Sequence, residues 1–111
     1  MLDPQTLYAA CRALEAATGR WIVPPYLGRR FGLFTISDED DHVHNDEAAA
    51  DILEARLWRA VREWCNAIKT SCYWDREHGI QINGTYYPDL PAAAHAIAEW
   101  CKANRTTPPA P

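Results

Sequence analysis

The chain of 111 residues is 48% hydrophobic and 23% charged, with a formal net charge of −4. That length suits one domain and leaves no room for a dinucleotide-binding enzyme or a full TIM barrel. The composition is neither disordered nor collagen-like, no apolar run approaches the roughly 18 residues of a membrane span, and Asp3-Pro4 stands where a secretion signal needs positive charge. A cytoplasmic protein is expected.

Asp3-Pro4 reads as a helix cap followed by proline at the first helical position. Leu7, Cys11, Leu14 and Thr18 recur at helical spacing, and Gly19 is a natural stop, so a helix is predicted over 4–18. Trp21-Ile22-Val23 predicts a short strand ended by Pro24-Pro25. After a loop from Pro24 to Arg30, Phe31 to Ile36 predicts its hairpin partner. Ser37 to Asn45 reads as a polar loop.

The strongest periodic signal follows: Leu53, Leu57, Val61, Trp64, Ile68 and Cys72 form an unbroken stripe of helical spacing. It predicts a long central helix over about 46–71, capped by Asn45 or Asp46. A turn is expected over Asp75 to Gly79. Asn83-Gly84 between two β-rich runs, 80–82 and 85–87, predicts a type I′ hairpin. Asp89 caps a last helix striped by Leu90, Ala94, Ile97 and Cys101, with Pro91 tolerated in its first turn. The expected fold is α+β, of order α-β-β-α-β-β-α, with two hairpins forming a small antiparallel sheet covered by helices. Residues 1–104 make one domain and 105–111 a proline-rich tail.

Charge is uneven along the chain. Asp38, Glu39, Asp40, Asp41, Asp46, Glu47, Asp51 and Glu54 fall in a segment without Lys or Arg. An acidic chain is a poor general ligand for phosphates and a better match for a basic protein surface. Arg56, Arg59 and Arg62 recur every three residues, but Arg59 and Glu63 make an i,i+4 pair typical of a solvated face, so direct nucleic-acid binding is not expected.

Cys11, Cys65, Cys72 and Cys101 include no C-x-x-C pair. Cys65 and Cys72, on one predicted helix, would lie about 10 Å apart along its axis, too far for a disulfide or a shared zinc. All four are expected as reduced core residues.

His42-Val43-His44-Asn45-Asp46-Glu47 partly resembles the H-x-H-x-D-H motif of the metallo-β-lactamase superfamily, with Glu47 in place of the last His. The resemblance implies a metal held by His42, His44 and Asp46 and metal-assisted hydrolysis. The plainer reading is an acidic loop whose Asp46 caps the helix, with no metal and no cofactor. Gly84 to Ala94 resembles the strand-into-helix segments of small phage-associated modules, with Asp89 at the usual Ser or Thr and no second helix behind it to read DNA. There is no nucleophile elbow and no phosphate loop.

Five Trp and five Tyr exceed what a core of this size absorbs. Neighbours Tyr86 and Tyr87 must point to opposite faces of their strand. The expectation is a non-enzymatic interaction module, such as a phage or mobile-element inhibitor of a host defence factor. Its partner-binding residues would be Asp38, Glu39, Asp40, Asp41, Tyr86 and Trp100. A toxin-immunity protein and a metal-assisted hydrolase are the alternatives.

Overall fold

The computed structural model describes residues 3–30, 33–37, 42–44, 46–75 and 79–104. The expectation of a tail over 105–111 lies outside these residues. The fold is α+β: helix α1 (Pro4–Thr18), strands β1 (Leu27–Arg30), β2 (Leu33–Ser37) and β3 (His42–His44), helix α2 (Asp46–Ala67), strands β4 (Cys72–Asp75), β5 (Gly79–Ile82) and β6 (Thr85–Tyr87), and helix α3 (Leu90–Asn104). The strands form two antiparallel three-stranded sheets, β1-β2-β3 and β4-β5-β6, where one merged sheet was expected.

The three helices pack against one another, the first sheet meets α2 through β2, and the second meets α3 through β5 and β6. Leu7, Leu14, Phe34, Leu53, Leu57 and Val61 are the large side chains sealed at the centre. Tyr8 meets the Phe34 ring edge-on at 5.5 Å, pinning α1 to the first sheet.

Both ends of α1 follow its sequence signals. The Asp3 carboxylate accepts the Thr6 N–H at 3.3 Å, and Gly19, at φ +73°, donates its N–H to the Glu15 carbonyl at 2.7 Å. The expected strand at Trp21–Val23 does not form. The N–H groups of Ile22 and Val23 both donate to Glu15 Oε2, at 2.8 and 3.0 Å, and Pro24 and Pro25 carry no N–H. With its donors taken by a helix side chain, this segment cannot enter a ladder. The strand forms later, at Leu27–Arg30, inside the stretch read as a loop, and pairs from Leu27↔Ile36 to Arg30↔Leu33. The polar loop likewise contains β3, whose His42 and His44 stand opposite Ser37 and Thr35.

Helix α2 ends at Ala67, short of the predicted 71. Lys69 takes a left-handed conformation (φ +58°), its N–H bonds the Asn66 carbonyl at 3.2 Å, and the Thr70 N–H returns to the Cys65 carbonyl at 2.9 Å. The chain turns back, so Cys72 opens β4 instead of continuing the helix. Cys65 and Cys72 are therefore not a helical turn-pair held apart. Their thiols are near enough to act on each other electrostatically. Burial pushes the Cys65 thiol up to about 12, and Cys11 likewise; Cys72 is raised by burial too, with Cys65 and the Arg62 charge opposing the rise. All four cysteines are free.

The Asn83-Gly84 turn has positive φ at both residues (+50° and +84°), as a type I′ turn requires. Asp89 Oδ1 accepts the Ala92 N–H at 2.9 Å, capping α3. Among the described residues no helix is long and apolar enough to cross a membrane.

Candidate interaction surface

In the second sheet, strand alternation separates two faces. The rows Cys72↔Ile82↔Thr85 and Trp74↔Ile80↔Tyr87 turn toward the helices, whereas Tyr73↔Gln81↔Tyr86 forms the outer row. Ile80 and Ile82 are buried and Tyr87 packs against the core, while Tyr73 and Tyr86 remain 60% and 51% exposed. Tyr86 thus meets solvent and Tyr87 the core, as their adjacency demands.

Trp100, on α3, packs edge-on against Trp64 at 5.5 Å and lines a groove with Thr85 and Tyr87. Tyr86 lies between those two residues and faces the other way. The two aromatic anchors expected from the sequence therefore sit on different sides of the sheet and cannot grip one small patch. Trp21, left outside any strand, is the most exposed large apolar side chain among the described residues, at 87%.

Of the acidic residues expected to bind, Asp38, Glu39, Asp40 and Asp41 lie outside the described residues. Asp46 is the first residue of α2, and its Oδ1 accepts the Phe34 N–H at 3.4 Å. Its carboxylate thus ties the helix to β2. His42 and His44 hold alternate positions in β3, and their side chains lie outside the described part of the structure. Among the described residues no group of three or more His, Cys, Asp and Glu is placed to hold a metal. Arg56, Arg59 and Arg62 are exposed, but Glu63 interrupts the stripe: it takes Arg59 Nε at 3.2 Å and Arg20 Nη1 at 3.5 Å.

A site that sequence reading missed lies where α2 passes the second sheet. Asp51, Glu54, Ala55 and Trp58 fall at i, i+3, i+4 and i+7, sharing one face of α2 beside its core stripe. Trp74 and Ile80 face them from β4 and β5, and Pro88 to Leu90 close the end, enclosing a cleft of about 660 Å³. Ala55 contributes only a methyl group, which leaves the space open. Trp74 is 64% exposed although it belongs to the inward row, because it stands at the mouth of this cleft.

Comparison with family models, with curated proteins and with solved structures returned no match for this chain. The site must therefore be read from its own chemistry.

Gly79, at the floor, has φ +88°, and a Cβ there would drive into the backbone carbonyls of Tyr87 and Pro88. Glycine is what lets β5 pass so close to the β6–α3 turn. Asp89 is occupied as the cap of α3. Asp51 and Glu54 are exposed, and among the described residues neither has a cationic partner. Helical spacing explains this. Asp51 has Glu47, Ala48, Glu54 and Ala55 at the i±3 and i±4 positions, and Glu54 has Ala50, Asp51, Leu57 and Trp58. Two carboxylates without a cationic partner among the described residues thus border two indoles.

Proposed function

We propose that this chain is a non-enzymatic protein-interaction module, acting in the cytoplasm, whose partner presents a basic surface. The observation that carries the reading is the pair Asp51 and Glu54 on α2, without a cationic partner among the described residues, set beside exposed aromatic side chains on a framework of packed helices and sheets. Tyr and Trp anchor interfaces by combining large contact area with few rotatable bonds, and unpaired carboxylates steer a cationic partner toward them. The acids at 38–41 extend the same charge along the sequence. An inhibitor carried by a mobile element against a host factor is the biological setting we favour, since inhibition by occlusion asks only for a rigid scaffold and a complementary patch.

The test is retention of partners by tagged protein from native host lysate, eluted over rising salt. The expected result is one stoichiometric basic protein, released as salt screens the contact and retained poorly when Asp38, Glu39, Asp40 and Asp41 are changed together to Asn or Gln. Retention of no such partner, together with turnover of a metabolite by the purified chain, would overturn the proposal.

A further inference from the structure

The cleft between α2 and the second sheet has the chemistry of a cation receptor. Its walls include Trp58, half-buried on α2, and Trp74, largely exposed on β4. An indole face attracts a cation more strongly than any other aromatic side chain does, and the attraction grows as water is excluded. Asp51 and Glu54 add negative charge at the rim, with Glu47 one helical turn behind Asp51. Like charges at i,i+3 and i,i+4 repel, so an arriving cation would relieve an unfavourable local field as well as make new contacts.

We propose that this cleft receives an arginine side chain of the protein partner, its guanidinium stacked against indole and hydrogen-bonded to Asp51 and Glu54. The assignment deepens the basic-partner reading, from which it takes the choice of a protein side chain. Arginine is preferred over lysine for a geometric reason. The guanidinium is planar and weakly hydrated, so it lies flat on an aromatic face while its edge donates in a fork to a carboxylate. An ammonium is a strongly hydrated point charge and gives up more solvation to enter. At about 660 Å³ the cleft exceeds one guanidinium and accommodates the side chain together with part of its flanking backbone. The apolar floor of Ile80 and Leu90 suits the methylene stem.

The probe is a blocked Gly-Arg-Gly peptide, with citrulline and lysine counterparts, titrated into the intact chain at low salt. The five indole N–H resonances provide the readout and are assigned with Trp58→Phe and Trp74→Phe. The arginine peptide should move the Trp58 and Trp74 signals and leave that of Trp21, the most exposed indole, in place. The citrulline peptide, isosteric but uncharged, should bind at least about fivefold more weakly, and Asp51→Asn/Glu54→Gln should cost about tenfold. Both acidic side chains are exposed, so that variant should keep its fold, which circular dichroism verifies.

Absence of any Trp58 or Trp74 shift, equal binding of citrulline or lysine peptide, or undiminished binding by the double variant would each overturn the assignment. Failure of the broader reading looks different. If the arginine peptide seats in the cleft and no basic protein is retained from lysate, the cleft assignment stands and the partner reading falls. If a basic protein is retained equally by wild type and by Asp51→Asn/Glu54→Gln/Trp74→Ala, the partner reading stands and the cleft assignment falls.

Discussion

Replacing Glu15 by Ala tests the contact that decides how the chain leaves α1. The side chain is 11% exposed, and its two oxygens do separate work. Oε2 accepts the N–H groups of Ile22 and Val23, and Oε1 takes Arg12 Nη1 at 3.0 Å. Hydrogen bonds to a charged group contribute roughly 1.5–3 kcal/mol each, and an N–H left unpaired in a partly buried site costs about 1–3 kcal/mol. Water reaches part of this segment, so the lower half of those ranges applies, and Glu15→Ala should destabilise by about 2–4 kcal/mol. Arg12→Ala removes a pair whose arginine is 57% exposed, with its place over the Tyr8 ring at 6.0 Å, and should cost about 1 kcal/mol or less. Glu15→Gln keeps an acceptor for the two N–H groups and should fall between the two. Urea unfolding followed by circular dichroism measures all three, with the slope checked for constancy. A Glu15→Ala variant within about 1 kcal/mol of wild type would show that solvent, not this carboxylate, satisfies residues 22 and 23.

Gly79→Ala should cost on the order of 2–4 kcal/mol, because positive φ and a backbone collision act together; Gly84→Ala, with the same sign of φ but open space around it, should cost only about 1 kcal/mol. Equal losses in thermal unfolding would refute the steric part of that account. The raised Cys11 and Cys65 thiols predict an alkaline weakness: the folded state holds protons that the unfolded chain releases above pH 9.0, so stability is intact below that pH and falls toward about 12. The slope is about 1.4 kcal/mol per pH unit for each thiol, and Cys11→Ala should flatten it; parallel slopes for variant and wild type between pH 8 and 10.5 would refute it. Asp46→Ala should cost about 0.5–2 kcal/mol through the lost Phe34 N–H acceptor and the acidic first turn of α2; unchanged unfolding in urea would count against both.

How far the sequence could be read depended on whether a feature is local. The caps of α1 and α3 and the Asn83-Gly84 turn were legible because each is set by residues a few positions apart. The strand expected at 21–23 failed because a carboxylate seven residues upstream competes for its donors, and propensity carries no such information. The end of α2 is the least legible boundary. Ile68 and Cys72 continue the apolar period, and no Gly or Pro between 66 and 71 marks a stop, so the pattern overran a helix that the fold closes through Lys69 and Thr70.

That one boundary hid two further features. With Cys72 on the helix, its thiol lies a full rise of two turns from Cys65; with the chain turned back, the two thiols act on each other electrostatically. With residues 68–71 helical, Trp74 follows a continuing rod and points away from Trp58. Reversal at Lys69 turns the chain out of the helix into β4, and only then do the two indoles and the two carboxylates border one space. Each wall of the cleft is visible in the sequence alone: acids without i±4 cations, a Trp beside the core stripe, an alanine between them. Their meeting is a property of the turn. A cation receptor of this kind is therefore tied to the reversal at residues 67–72, and a change that lengthens α2 would abolish it without altering the identity of any lining residue.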